Sequence, residues 1–217
     1  MSIKAYATFV SELTRRYSEI GSICPSSKAL ARAMVSPLDD QDTRRKILEV
    51  GPGTGPLTRE VLKVLTAHDQ FMVCEINSRL LQTLRHQLSS NPYYLRNAER
   101  ISFFDGPVQE LGRQTTEKYD FILCSLPFSS FTPELTDEIL KLLQGMLSPN
   151  GCLTFFEYVG IRKIFGTFAP RKLRERMRGV DQIMQAWKED AASSGTLKTE
   201  IHWLNLPPAK RIEYSTL

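Results

Sequence analysis

The sequence predicts an α/β fold in which a mainly parallel β-sheet is covered by helices on both faces. Short apolar runs alternate along the chain with segments whose apolar residues recur every three or four positions. A glycine-rich turn follows the first of these runs, and the chain ends in two strand-like runs separated by prolines. With 217 residues, 41% apolar and 24% charged, the composition is that of one globular domain and excludes disordered or collagen-like chains.

Seven runs are predicted as strands: 46–50, 71–75, 101–104, 119–125, 151–158, 199–206 and 209–216. The last two run on either side of Pro207 and Pro208 and predict an antiparallel hairpin. Helical spacing covers the segments 58–67, 79–88 and 134–147. Because the strands of the first five runs are separated by helices, we expect them to be parallel.

The ends of the chain depart from this alternation. Apolar residues recur at helical spacing through 3–20, and a second helix is expected to begin near 25–27 and to run through residue 34. We therefore expect one domain over 1–217, with an N-terminal helical extension over 1–38 and a basic insertion over 160–195. The extension is predicted either to pack on the core or to act as a membrane-binding lid.

Charge and cysteine usage exclude several classes of protein. The 28 basic and 24 acidic residues give a net charge of +4, which identifies no partner by itself. The N-terminus has no apolar core of a secretory signal, and no apolar run is long enough to span a bilayer. No cysteine pair has zinc-ligand spacing, so no metal site is predicted. The cysteines are expected to be small buried residues, which fits a protein of the reducing cytoplasm.

The most informative stretch is a glycine-rich turn between the first strand and the next helix. It contains Glu49, Val50, Gly51, Pro52, Gly53, Thr54, Gly55 and Pro56. Glycines let a backbone turn tightly and approach a ligand closely. The dinucleotide pattern would need a third glycine at position 56, where this chain has a proline. Glu49 disfavours a pyrophosphate, which prefers positive charge, and favours a ligand that carries an ammonium group.

Acidic residues end the next two strands. Glu75 ends the second strand, 20 residues after Gly55, where a carboxylate suits a pair of ribose hydroxyls. Asp105, followed by Gly106, ends the third strand, where an acid can contact an adenine amino group. With the glycine turn, these residues resemble the class I S-adenosylmethionine-dependent methyltransferases over about residues 46–158.

That resemblance implies a Rossmann-like sheet, S-adenosylmethionine as cofactor, S-adenosylhomocysteine as product, and no metal. The cofactor-binding residues that it implies are Glu49, Gly51, Pro52, Gly53, Thr54, Gly55, Glu75, Ile76, Asp105, Gly106 and Ser125. Ser26 and Ser27, at a predicted helix start, are further candidates for binding a carboxylate or a lipid phosphate, or they cap the helix alone.

A candidate methyl-acceptor motif follows the fourth strand. Its residues Ser125, Leu126, Pro127 and Phe128 resemble the (Asn/Asp/Ser)-x-Pro-(Tyr/Phe) motif of amine methyltransferases. The Ser125 hydroxyl and the Leu126 carbonyl can accept hydrogen bonds from an amine and align its lone pair. Phe128 offers an aromatic face to positive charge, and Tyr158 and Tyr17 are further candidates at this catalytic site. Desolvation lowers the pKa of an amine, so no dedicated base is predicted.

Two families share this motif, the ribosomal RNA adenine dimethyltransferases and the bacterial phospholipid N-methyltransferases. The segment 23–34, ICPSSKALARAM, resembles a signature of the lipid family, and LNLPPA at 204–209 resembles its C-terminal hairpin. The RNA enzymes carry a helical domain after the sheet, which is not apparent here. The chain is therefore identified as similar to the phospholipid N-methyltransferases, with an RNA enzyme or a soluble small-amine methyltransferase as alternatives.

This resemblance implies a lipid substrate with a primary or methylated amine headgroup, of the phosphatidylethanolamine or ornithine-lipid type, and no nucleic acid. A cytoplasmic enzyme docked on the inner face of an anionic membrane is expected. Segment 160–180 holds seven basic residues and one acid, and an apolar stripe on the first helix lies beside further basic residues. The predicted membrane-binding residues are Lys4, Arg15, Arg16, Arg162, Lys163, Arg171, Lys172 and Arg174. Oligomeric state is left open.

Overall fold

The structure, a computed structural model, describes residues 28–38, 44–159, 171–205 and 207–217. Its seven strands form one sheet, and their bounds are β1 Lys46–Val50, β2 Gln70–Glu75, β3 Ile101–Asp105, β4 Tyr119–Cys124, β5 Leu147–Tyr158, β6 Gly195–His202 and β7 Ala209–Thr216. The strand order is β3-β2-β1-β4-β5-β7-β6. β7 is antiparallel to both of its neighbours, and the other pairs are parallel. The predicted fold class is confirmed.

Helices cover both faces of this sheet. Their bounds are α1 Lys28–Val35, α2 Pro56–Val64, α3 Ser78–Leu88, α4 Pro92–Asn97, α5 Val108–Gln114, α6 Pro133–Gly145 and α7 Arg171–Ser194. One apolar core packs α1, α2 and α3 against the sheet, and a second packs α5, α6 and α7 against the opposite face. Among the described residues, no helix is both long and apolar enough to cross a membrane.

The sixth strand lies four residues earlier than the sequence predicts. β6 pairs with β7 from Gly195, opposite Thr216, to His202, opposite Ala209, so the predicted boundaries 199–206 are wrong. Those boundaries would leave only Pro207 and Pro208 for the turn. A two-residue hairpin turn needs positive φ angles, and the proline ring holds φ near −65°. Six residues therefore separate the end of β6 at His202 from the start of β7 at Ala209.

The basic segment is partly a core helix. The first turns of α7 are exposed, whereas Val180, Met184, Trp187 and Ala191 are buried against the sheet. Residues 28–38 of the predicted N-terminal extension also pack in the core, where the Thr154 hydroxyl donates to the Met34 carbonyl at 3.2 Å. The rest of that extension, residues 1–27, lies outside the described residues.

A buried ion pair ties together the amino-terminal edge of the sheet. Arg45 and Asp69 are each 1% exposed, and their Nη2 and Oδ2 atoms lie 2.6 Å apart. Arg45 also donates to the carbonyls of Leu38 and Val64, and Asp69 accepts from the Thr66 amide at 2.7 Å. Burial alone would raise the pKa of Asp69, but these hydrogen bonds and the Arg45 charge hold it below its ordinary value.

Cys74, Cys124 and Cys152 are free and buried, as the sequence predicts, while Cys24 lies outside the described part of the chain. Burial raises the pKa of Cys124 and of Cys152 to about 12. The two thiols are therefore protonated at neutral pH and act as small apolar side chains.

Candidate functional site

The glycine turn connects β1 to α2 at the carboxyl-terminal edge of the parallel strands. Gly51, Gly53 and Gly55 have φ angles of 73°, 55° and 79°, in the left-handed region that side chains disfavour. The Gly51 amide donates to the Cys74 carbonyl at 2.9 Å, and the Gly55 amide donates to the Pro52 carbonyl at 2.8 Å. A Cβ at Gly53 would meet no described heavy atom within 4 Å. The turn therefore offers exposed backbone that a ligand can approach.

Glu49 lies under this turn and is fully buried. Within the described chain, neither of its carboxyl oxygens makes a hydrogen bond of good geometry, and Thr58 is the donor that lies near them. Burial raises the pKa of Glu49 to about 8 and the Glu75 charge adds to the rise, while the nearby Thr58 and Arg59 oppose it. A buried acid with so few donors is costly for a fold, which makes Glu49 a candidate for binding a cationic group.

Two further acids line the same edge of the sheet. Glu75 and Asp105 are register partners at the ends of β2 and β3. Glu75 is buried and accepts from the Gly53 amide at 3.1 Å and from the Asn77 amide at 2.9 Å. Burial raises its pKa, although these backbone amides oppose the rise. Asp105 is exposed and accepts from the Ser78 hydroxyl at 2.7 Å. The acidic residues that end β2 and β3 thus lie beside the glycine turn at one edge of the sheet.

The remaining predicted cofactor residues lie around these groups. Pro52 and Gly106 are buried, Ile76 is half-buried and packs against one core, and Thr54 is exposed at the tip of the turn. The Gly106 amide donates to the Glu75 carbonyl at 3.0 Å, which fixes the end of β3 against β2. Ser26 and Ser27 lie outside the described residues.

The candidate acceptor motif is held directly against the glycine turn. The Ser125 amide donates to the Val50 carbonyl at 2.9 Å, so the motif begins where β1 ends. A Cβ at Gly51 would lie 2.8 Å from the Leu126 Cδ2, which places the Leu126 side chain on the turn. The Leu126 carbonyl accepts from the Phe128 amide at 3.0 Å and keeps a second lone pair. The structure therefore brings the two predicted halves of the site together.

The candidate aromatic residues divide into buried and accessible ones. Phe128 packs its ring edge-to-face on Phe131 and Phe155, at centroid distances of 6.0 and 5.7 Å. Phe128 and Phe131 are both buried in the core. Tyr158, at the end of β5, is half-buried, and its ring lies 5.3 Å from that of Phe156. Tyr17 lies outside the described residues. Of the described candidates, Tyr158 is therefore the accessible one.

The predicted membrane-binding residues are only partly described. Arg171, Lys172 and Arg174 are exposed on the first turns of α7, and the Arg171 Nε lies 2.7 Å from the Glu175 Oε1. The others, Lys4, Arg15, Arg16, Arg162 and Lys163, lie outside the described residues.

Sequence reasoning missed an ion pair beside the site. The Lys188 Nζ on α7 lies 2.7 Å from the Glu157 Oε2 near the end of β5, and both side chains are less than a fifth exposed. It fastens α7 to the strand that carries Tyr158. The alternation of β5 places Glu157 on the face of Phe155, but no local signal in the sequence pairs it with a residue 31 positions away.

Comparisons with known proteins give a consistent class. Residues 47–151 match the family described as a methyltransferase domain. The chain is 25% identical to the ornithine lipid N-methyltransferase of Singulisphaera acidiphila, over 69% of this chain and 76% of that enzyme. It is also 28% identical to the malonyl-[acyl-carrier protein] O-methyltransferase of Halalkalibacterium halodurans, over 59% of this chain but only 46% of that enzyme.

Solved structures support the fold. The O-methyltransferase from Bacillus cereus, in complex with SAH, superimposes with a TM-score of 0.66 over 97% of this chain and 91% of that chain. Its sequence is 13% identical, so this likeness is one of fold. Among the described residues, no group of three or more His, Cys, Asp or Glu side chains is arranged to hold a metal ion.

Proposed function

Residues 47–151 match a methyltransferase domain, and we propose that this chain is an S-adenosylmethionine-dependent enzyme that methylates the headgroup amine of a membrane lipid. The observation that carries the proposal is the packing of Ser125 and Leu126 against the glycine turn. A motif typical of amine methyltransferases then lies where a donor held by the turn would present its methyl group. The transfer is repeated when the product is a secondary or tertiary amine.

The residues of the turn fit the donor. Glu49 lies under the turn with a buried carboxyl that would attract the donor's ammonium, and Glu75 offers a second carboxyl to the ribose hydroxyls. Backbone at Gly53 leaves room for close approach. S-adenosylmethionine supplies an electrophilic methyl group on a sulfonium centre. Its lack of phosphate suits an edge that carries acidic side chains at the ends of β2 and β3, which disfavour a pyrophosphate.

Alanine at Gly53 should separate donor binding from folding. The substitution meets no described atom, so it costs only the strain of a left-handed backbone, about 1–2 kcal/mol. Donor affinity should fall at least about tenfold, because the added methyl occupies the ligand's approach. Calorimetric titration with the donor and thermal melting measure the two effects.

Gly55→Ala in the same turn is the contrasting variant, in which the stability falls further. Its Cβ would lie 2.3 Å from the Cδ1 of Leu84, which is fully buried. Overpacking adds to the backbone strain, so stability should fall by about 2–4 kcal/mol. Wild-type donor affinity in Gly53→Ala would contradict the assignment of the turn.

The acceptor motif aligns the nucleophile. The Ser125 hydroxyl and the free lone pair of the Leu126 carbonyl accept hydrogen bonds from the amine, which directs its lone pair at the methyl carbon. The amine must first lose a proton, and desolvation in the site lowers its pKa. Pro127 and the buried Phe128 ring hold the turn rigid, and Tyr158 gives an aromatic face to the growing cationic headgroup.

Ser125→Ala tests this alignment. The backbone bond from residue 125 to the Val50 carbonyl does not depend on the side chain, so the turn should keep its place. Loss of one acceptor should lower kcat/KM for the amine by about ten- to a hundredfold while donor affinity stays unchanged. Ser129→Ala, which alters a serine outside the motif, should leave both unchanged. An unaltered kcat/KM in Ser125→Ala would remove that hydroxyl from the mechanism.

Two features support a lipid as the acceptor. The relative from Singulisphaera acidiphila is an ornithine lipid N-methyltransferase. Exposed basic residues begin α7 and would attract an anionic bilayer. The enzyme would then act from the cytoplasmic face of the membrane without spanning it.

The direct test uses methyl-labelled donor. The wild-type chain is incubated with total bacterial lipid, with short water-soluble amines and with an RNA hairpin, and the labelled products are identified by mass spectrometry. Label in an aminolipid headgroup alone is the expected result. Label in the RNA adenine, or only in the soluble amines, would contradict the lipid substrate and identify that acceptor as the substrate instead.

A further inference from the structure

The turn between β6 and β7 exposes two large apolar side chains. Trp203 is 67% exposed and Leu204 is 93% exposed, the two highest values among the large apolar residues that the structure describes, apart from the C-terminal Leu217. The sequence placed both in a strand, where one of them would be covered. Exposed apolar groups of this size mark an interaction surface.

This turn is held in a defined shape. Asn205 is 1% exposed, its side-chain amide donates to the Pro207 carbonyl at 2.8 Å, and its backbone amide donates to the His202 carbonyl at 3.3 Å. The Val159 amide donates to the Pro208 carbonyl at 2.6 Å, which ties the turn to the end of β5. Trp203 and Leu204 are thus presented on a fixed support.

The turn lies at the same edge of the sheet as the candidate site. Ala209, the first residue of β7, pairs with both His202 and Tyr158. Tyr158 is the carboxyl end of β5, and the parallel strands that carry the glycine turn and the acceptor motif end at that edge. A surface that docks through Trp203 would therefore face the acceptor site.

The exposed cations of α7 begin at this edge too. α7 ends at Ser194, directly before β6 begins, and β6 runs to the edge where the turn lies. A Cβ at Gly179, in the third turn of α7, would lie 2.5 Å from the Pro133 Cγ, and Pro133 begins α6 shortly after the acceptor motif. The first turns of α7, where Arg171, Lys172 and Arg174 are exposed, therefore lie at this edge. Apolar groups and cations on one edge are the composition of a surface that docks on an anionic bilayer.

We propose that Trp203 and Leu204 insert into an anionic lipid surface beside the basic start of α7 and so present the acceptor site to the membrane. The inference rests on the proposed lipid substrate. Tryptophan suits the bilayer interface, because its ring is apolar and its N–H is polar. Charge complementarity selects the lipid surface over a protein partner.

Trp203 reports its own insertion. The chain has two tryptophans, and the other, Trp187, is buried and donates to Gln144. Vesicles of phosphatidylglycerol should shift the Trp203 emission to shorter wavelength, and brominated lipid should quench it. Vesicles of phosphatidylcholine should do neither. Unchanged emission while the protein sediments with anionic vesicles would overturn the insertion.

Substitutions can separate the apolar insertion into the bilayer from the electrostatic attraction to its surface. Trp203→Ser with Leu204→Ser should lower partitioning onto anionic vesicles at least about tenfold, and Arg171→Gln with Lys172→Gln and Arg174→Gln should lower it at low salt but little at high salt. Leu217→Ser removes an equally exposed apolar residue at the opposite edge and should change nothing. Thermal melting confirms that each variant is folded. Wild-type partitioning of the double variant would overturn the proposal.

Vesicle binding is measured without turnover, so its outcome is independent of the substrate. If Trp203 inserts but no lipid is labelled, the docking surface is supported and the lipid acceptor is refuted. If lipid is labelled but Trp203 does not insert, the lipid acceptor is supported and the docking surface is refuted. Self-association that disappears in the double variant, with no vesicle binding by the wild-type chain, would assign the turn to a second copy of the chain.

Discussion

Replacing Asp69 with alanine is expected to lower the free energy of unfolding by about 3–5 kcal/mol. Arg45 would keep its charge in a site where it is 1% exposed, with its main acceptors gone. The loss is a large share of the total stability of a domain, roughly 5–15 kcal/mol. Denaturant unfolding at neutral pH measures it.

Asp137→Ala is the matched control. Its carboxylate pairs with Lys141 on the exposed face of α6, and such pairs contribute at most about 0.5 kcal/mol. Unfolding of the Asp69 variant within about 1 kcal/mol of the control would mean that the buried pair is not a stabilising contact.

The effect should also depend on pH. The pKa of Asp69 is lower in the folded chain than its ordinary value of 3.8, so the folded state favours the carboxylate. Its contribution is complete above that value and is lost as the pH falls through the lower pKa of the folded state. The difference between the wild type and Asp69→Ala should therefore shrink in acid.

Glu49→Gln is expected to lower donor affinity about a hundredfold or more without destabilising the chain. The glutamine keeps the shape of the side chain but offers no charge to an ammonium, and removing one member of a buried charge pair costs several kcal/mol. Calorimetric titration measures the affinity. Glu117→Gln, which alters a half-exposed acid at the amino-terminal edge, should bind the donor as the wild type does.

Glu49→Gln should stabilise the chain without donor, whereas most substitutions in a core destabilise it. Burial raises the pKa of Glu49 from 4.5 to about 8, so the folded state favours the protonated carboxyl. The wild type without donor should lose stability as the pH rises from about 4.5 to 8, and Glu49→Gln should not. The variant should therefore melt at a higher temperature than the wild type at pH 8 and nearly the same at pH 4.5.

Donor binding should release a proton at neutral pH, because the bound ammonium favours the Glu49 carboxylate. The binding enthalpy of the wild type should then differ between phosphate and Tris buffers, whose ionisation enthalpies differ, and that of Glu49→Gln should not. Equal enthalpies in both buffers for the wild type would mean that Glu49 does not meet the donor's charge.

The sequence could predict which residues lie at the carboxyl-terminal edge of the sheet, because their positions depend on local strand patterns. The bounds of β1 and β7 match their predicted runs, and parallel strands bring Glu49, Glu75 and Asp105 to one edge. The β6 boundary was wrong because proline chemistry in a turn outweighed strand propensity. With that shift, Trp203 moved from a predicted strand to an exposed turn.

Contacts between residues far apart in the chain could not be predicted from local sequence patterns. Nothing local to Glu49 indicates that its carboxyl is fully buried beside Thr58, since this depends on how α2 packs over β1. The basic residues of α7 indicated a surface, but the same helix buries Trp187, which donates to Gln144 at 3.0 Å. Periodicity places such residues on a helix face without identifying what they touch.

The contact between Leu126 and Gly51 links two properties that evolution would otherwise adjust separately. In the proposed site, a change at Leu126 that makes room for a new acceptor also removes the side chain that lies on the glycine turn, and a side chain at position 51 would displace Leu126. Variants selected for a new headgroup should therefore also show altered donor affinity. Engineering of such an enzyme has to vary both positions in one library.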